Sequence, residues 1–166
     1  METWKEFFDS TEIEESDKTT LLRHYVRESN LIEGIHRTPS RRELAAHVFL
    51  CMEPELTVSG LCQFVKAVQP NARLRVSAGV NVTVGKHIPP PGGQGILYAL
   101  DEIVARVNAG ADPVAVHHDY ETLHPFTDGN GRSGRAIWMR QLGPRALVNR
   151  FLTEWYYKSL ERGRDQ

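Results

Sequence analysis

Apolar positions along the chain fall mostly at helical spacing. From Thr19, Leu21, Leu22, Tyr25, Val26, Leu31 and Ile32 recur every three or four residues and run to Gly34, a C-terminal stop. Ser40 and Glu43 form a capping box ahead of Leu44, Val48, Phe49 and Leu50. A further helix is predicted from about Ser59 through Leu61, Phe64, Val65 and Val68 to Pro70. The period then shortens to two: Val80, Val82 and Val84 alternate with Asn81, Thr83 and Gly85, which predicts a strand or short hairpin ended by Pro89, Pro90 and Pro91. Helical spacing resumes from Gly95 through Ile96, Leu97, Leu100, Ile103, Val104 and Val107. Asp112-Pro113 supplies an N-cap and a first-turn proline for a helix through Tyr120. Ile137, Trp138 and Leu142 predict a buried helix broken by Gly143-Pro144, and a last helix covers about 145–160. Helices with one short β element make a mostly-α domain.

Composition narrows the class. The 166 residues fit one domain, and 40% apolar with 25% charged residues excludes a disordered chain. Twenty basic residues against 21 acidic ones give a net charge of −1, so nothing pulls the chain generally toward nucleic acid or an anionic membrane. Cys51 and Cys62 both sit in helical patterns and are expected as buried thiols in a reducing, cytoplasmic setting. Residues 1–18 are acidic, without a signal peptide's basic start or apolar run, and are expected as a solvated face. Trp155, Tyr156 and Tyr157 are expected to be buried on the last helix.

One polar, glycine-rich segment carries the chemistry: His124-Pro-Phe-Thr-Asp-Gly-Asn-Gly-Arg-Ser-Gly-Arg135. Gly129, Asn130 and Gly131 tolerate the backbone angles that turn successive N–H groups inward on an anion. The helix that follows adds its unpaired N–H groups and positive dipole end. Arg132 and Arg135 share a helix face and can hold phosphate oxygens. Asp128 beside them suits a bridging Mg²⁺, and His124 titrates near neutrality. These are the parts of a phosphoryl or nucleotidyl transfer site. Simpler readings fit less well. A hairpin turn lacks alternating flanks, and an EF-hand would need an acid where Met139 stands. Gly85-Lys86 lacks P-loop spacing, and His117 with His118 diverge by about 100° on a helix, which is poor for zinc.

The segment resembles the Fic motif, H-x-F-x-[DE]-G-N-G-R-x-x-R, with no mismatch. Its eight specified positions would coincide by chance on the order of once in 10⁹ or more windows. The resemblance covers about residues 19–160, with 161–166 as a tail. It implies a Fic fold, a helical bundle with a short hairpin flap, and transfer of AMP from ATP to a Ser, Thr or Tyr hydroxyl of a target protein or of the chain itself. It assigns His124 as general base, Phe126 as loop anchor, Asp128 as Mg²⁺ ligand, and Gly129, Asn130 and Gly131 as phosphate cradle. Arg132 would face the β-phosphate and Arg135 the γ-phosphate. The segment Val80, Asn81, Val82, Thr83 and Val84 would be the target-positioning flap. Upstream, Ser29-Asn30-Leu31-Ile32-Glu33-Gly34 resembles the family's inhibitory motif, [ST]-x-x-x-E-[GN]. That implies an inhibitory helix over about 19–34 in which Glu33 pairs with Arg135 and occupies the γ-phosphate position. Transfer of another nucleotide, removal of AMP in the same site, and a nucleotide-binding regulatory module without turnover are the alternatives.

Overall fold

A computed structural model describes residues 3–148. The elements run α1 (Trp4–Asp9), α2 (Glu15–Ile32), α3 (Arg41–Met52), α4 (Val58–Val68), α5 (Gln94–Asn108), α6 (Pro113–Leu123), α7 (Asn130–Leu142) and α8 (Arg145–Val148). The described part is mostly helical and contains no sheet, as the apolar spacing predicts.

Start signals sit where local chemistry places them. Ser40 and Glu43 form the reciprocal capping box of α3, and Asp112 caps α6 ahead of Pro113. Gly143, at φ 73°, ends α7. Helix α2 starts four residues earlier than its apolar pattern, because Glu15 and Asp17 favour a first helical turn.

The helices close around two apolar clusters. One joins α3, α4, α5, α6 and α7 through Leu50, Leu61, Phe64, Leu100, Val116, Phe126 and Ile137. The other joins α1, α2, α3, α7 and α8 through Trp4, Phe7, Tyr25, Val26, Cys51, Met139 and Leu147. Helix α7 touches both, so the segment before it is held from two sides.

Four expectations change. The acidic N-terminal stretch is not merely a solvated face: α1 buries Trp4 and Phe7, and Trp4 Nε1 donates to Arg140 O at 3.1 Å. The valine-rich stretch alternates half-buried Val80, Val82 and Val84 with exposed Asn81, Thr83 and Gly85, yet forms no strand among the described residues. It pairs only at its tip, where Val84 and His87 exchange both backbone bonds around Gly85-Lys86. Alternation reports burial on one face; a strand also needs a partner, and none lies alongside among the described residues. Cys51 is buried but Cys62 only half-buried, both free, and Leu142 is exposed at the end of α7. The last helix is described over Arg145–Val148 only, and Trp155, Tyr156 and Tyr157 lie outside the described residues.

Candidate active site

The segment 124–135 is gripped before it acts. Its Pro125–Thr127 stretch pairs with 73–75: Arg75 N donates to Pro125 O and Thr127 N to Arg73 O, each at 2.9 Å. Asn130 turns its side chain back on the loop. Its Oδ1 accepts from Phe126 N and its Nδ2 donates to Phe126 O, both at 2.8 Å. The Asn130 side chain therefore shapes the loop, and the Phe126 ring, 1% exposed, anchors it in the core.

His124 caps the C-terminus of α6 in the left-handed conformation (φ 49°, ψ 61°), the only described non-glycine residue with positive φ. Such a residue costs on the order of 1 kcal/mol and persists only when neighbours over-determine it. Here its N–H bonds Tyr120 O, its carbonyl accepts from Arg75 Nε at 2.8 Å, and Nδ1 lies 3.2 Å from Glu121 O. A carbonyl only accepts, so Nδ1 carries the ring hydrogen and Nε2 keeps its lone pair. Burial first, and then the Arg75 guanidinium, hold the imidazole below its ordinary pKa, while the hydrogen bond to Glu121 O and the Glu33 carboxylate oppose them. The ring is neutral at neutral pH, the state a base requires.

Helix α7 begins at Gly129 (φ 78°) with no side chain capping it, so its first-turn N–H groups face outward. Gly131 sits in that turn. A Cβ there would collide with Glu33 Oε1 and stand 3.0 Å from Arg135 Nη1. A carboxylate thus already lies over this helix end, in a cradle only glycine leaves open.

Arg135 is 1% exposed. Its Nε donates to Ser29 Oγ at 2.8 Å, and its Nη2 to Ser29 O at 3.0 Å and Glu33 Oε1 at 2.5 Å. The end of α2 sets this geometry. Gly34, at φ 72°, lets Gly34 N reach Leu31 O and Ile35 N reach Asn30 O, each at 2.9 Å, which is a Schellman cap. Glu33 is fixed as its C-cap residue, one turn beyond Ser29. Asn30 ties the same turn to α3 through Glu43 Oε1.

Arg132 is buried and directed elsewhere. Its Nη1 donates to Val68 O and its Nη2 to Gln69 Oε1, both at 2.7 Å. Gln69 turns its amide nitrogen to Asp128 Oδ2 at 2.5 Å, while Asp128 Oδ1 accepts from Gly129 N at 2.6 Å. Asp128 is exposed, and no cluster of three or more metal-ligating side chains occurs among the described residues. A hard oxygen donor at the mouth of an anion cradle fits Mg²⁺ completed by phosphate oxygens and water.

The structure thus brings together Ser29, Glu33, Asp128, Gly129, Asn130, Gly131, Arg132 and Arg135 around the start of α7, with His124 on the adjoining cap. The stretch from Val80 to Val84 is linked to the cap through Arg75, which donates to Val80 O at 3.3 Å and to Leu123 O at 2.9 Å. The sequence profile of the Fic/DOC family matches residues 8–142. The chain belongs to the Fic/DOC family. Proteins of this family generally transfer a nucleoside monophosphate to proteins and typically bind ATP and a divalent metal, although some members are not transferases.

Three residues of this Fic site escaped the sequence reading. Gln69 bridges Asp128 and Arg132. Arg75 donates from its side chain to the carbonyls of Leu123 and His124. Glu121 places Oε2 3.9 Å from His124 Nδ1, its Oε1 has no hydrogen-bond partner, and burial pushes its carboxyl up to about 7. Only the i, i+3 spacing of Glu121 and His124 was a signal, and a weak one.

Proposed function

We propose that this Fic-family chain is an ATP- and Mg²⁺-dependent protein adenylyltransferase, restrained by Glu33. The observation that carries the reading is a neutral imidazole with Nε2 open, standing beside an uncapped helix N-terminus and a buried arginine. A module that only bound nucleotide would have no use for the base.

In this reading Nε2 of His124 takes the proton of a Ser, Thr or Tyr hydroxyl on a target protein or on the chain itself. The freed oxygen attacks the α-phosphorus, the α–β bridging bond breaks, and pyrophosphate leaves with the bonding pair. Arg135 holds the γ-phosphate, and the N–H groups of 130–132 offset charge on the phosphates. Asp128 would hold Mg²⁺, which neutralises charge developing on the leaving group. Arg132 would serve the β-phosphate by its field, since both terminal nitrogens are engaged; direct contact requires giving up Gln69. The stretch Val80, Asn81, Val82, Thr83, Val84 would offer its backbone edge to an extended target segment.

Glu33 holds the Arg135 guanidinium that the γ-phosphate needs and stands against Gly131 at the start of α7. ATP entering past it would sit displaced, its α-phosphorus out of line with the attacking hydroxyl. The reading places the enzyme in the cytoplasm, where ATP and free thiols coexist. No helix among the described residues is long and apolar enough to cross a membrane.

The test is to supply the Glu33→Gly protein with ATP labelled at the α- or the γ-phosphate. Incorporation of α-label without γ-label into protein is expected. Incorporation of γ-label would replace this reading with phosphoryl transfer.

A further inference from the structure

Arg75 is 0% exposed, among the largest fully buried side chains of the protein, and no carboxylate among the described residues pairs with it. A buried guanidinium without a counter-ion is costly unless its hydrogen bonds are complete. Every hydrogen bond of the Arg75 side chain goes to a backbone carbonyl. Nε donates to His124 O at 2.8 Å and Nη2 to Leu123 O at 2.9 Å; Nη1 donates to Pro90 O at 2.9 Å and Val80 O at 3.3 Å. The first pair lies at the negative end of α6, where a cation is favoured. The second pair comes from the two limbs of the loop that carries the valine-rich stretch. One rigid fork thus spans the base and the loop.

Each arm meets a strained or crowded neighbour. On the first, His124 is left-handed, and the bond to its carbonyl helps hold it so. On the second, the limbs pinch together at Gly92, where a Cβ would collide with Val80 O and stand 2.8 Å from Ser77 O. Gly92 N also donates to Asn81 Oδ1 at 2.9 Å. The loop is closed at its base, and its two carbonyls converge on Arg75.

We propose that Arg75 is a positioning residue for transfer: it sets the His124 ring and registers the 77–92 loop against it, so that base and target hydroxyl meet in one geometry. This rests on the reading of His124 as the base. The chemistry suits arginine alone. A lysine ammonium can serve the α6 carbonyls as a point charge but cannot span both arms. The charged and titratable groups facing His124 are Arg75, His87 from the loop, Glu121 on α6 and Glu33 at the end of α2. Arg75→Gln removes one cation from this set and Arg75→Lys removes none.

The experiment combines NMR titration of the His124 ring with transfer kinetics, using Glu33→Gly as the reference protein. Fold is checked by thermal denaturation. Arg75→Gln should raise the His124 pKa by about half a unit or more and move the acid limb of the rate profile with it. Arg75→Lys should leave the pKa nearly in place, lower kcat on the order of tenfold to a hundredfold, and raise KM for the target but not for ATP. Gly92→Ala, which displaces the loop arm and leaves the Arg75 charge in place, should raise KM for the target without the His124 shift expected of Arg75→Gln. A structural role alone predicts lower melting temperatures with unchanged kinetics and titration in the folded fraction, and that result overturns the proposal. So does a Gly92→Ala protein with unaltered target KM. Should the reference protein show no transfer, the function reading fails first, and an unmoved His124 titration in Arg75→Gln then removes Arg75 as well.

Discussion

Replacing Glu33 by Gly should raise transfer by about 10³-fold, divided between affinity and turnover. The affinity share is electrostatic. A carboxylate about 5 Å from a phosphate charge at an effective dielectric near 20 costs about 3 kcal/mol. Glu33 is 38% exposed, so solvent screening removes roughly half, leaving on the order of tenfold in KM for ATP. The turnover share is alignment: misplacing reacting atoms by about 1 Å costs on the order of 10²-fold. The fold should tolerate the change. Arg135 keeps both Ser29 contacts, Gly is acceptable beside the cap that Gly34 already makes, and the expected loss is about 1 kcal/mol. Steady-state kinetics against ATP, with wild type, Glu33→Gly, Glu33→Gln, Arg135→Ala and the Glu33→Gly/Arg135→Ala double variant, reads both shares. Glutamine keeps the bulk and loses the charge, so it should recover the affinity share and little of the turnover. The double variant should stay weakly active, because both residues act through one contact. If Glu33→Gly and Glu33→Gln match wild type with every nucleotide, auto-inhibition by this carboxylate is refuted.

Asp128→Ala should abolish the magnesium dependence of transfer with a melting temperature near wild type, since the side chain is exposed and bonds only Gly129 N and Gln69; a magnesium titration with thermal denaturation checks this. Gly131→Ala should displace Glu33 yet give no gain in transfer, because the added methyl fills the cradle itself; weakened ATP binding by calorimetry is the expected readout. Burial holds His47 and His117 down at about 4, so the unfolded chain takes up their protons first and stability falls as pH drops from about 6.5 towards 4. Glu121, raised to about 7, acts oppositely between about 4.5 and 7 and offsets one histidine. Urea unfolding should show a net loss of about 1 kcal/mol between about pH 6 and pH 5, and about 2 kcal/mol in Glu121→Gln.

The helices were legible because their signals are local: capping boxes, Asp112-Pro113 and the 3.6-residue apolar spacing lie within a few residues of what they determine. The pairing of Glu33 with Arg135 was legible only through motif resemblance, since nothing in either segment reports the other across 102 residues. The valine stretch misled because alternation encodes burial on one face, while a strand needs a partner contributed from elsewhere. Arg75 was invisible for a related reason. Its partners are backbone carbonyls, which every residue has, so no side-chain pattern announces them. The N-terminal segment read as solvent-facing from its charge, yet α1 turns Trp4 and Phe7 into the second cluster, as a six-residue amphipathic helix can.

In the proposed reaction His124 drives covalent transfer of a nucleotide to a protein hydroxyl. Intact-protein mass spectrometry tests it most directly, on Glu33→Gly and Glu33→Gly/His124→Ala, each incubated with Mg²⁺ and ATP, GTP, UTP or CTP in turn, with and without added lysate proteins. The account predicts a mass gain of one AMP from ATP in the single variant. The double variant should lose at least about 10²-fold in rate, with ATP affinity retained. Absence of any nucleotide adduct on a folded, ATP-bound Glu33→Gly protein and on the added proteins would contradict it, as would an adduct that forms equally fast without His124.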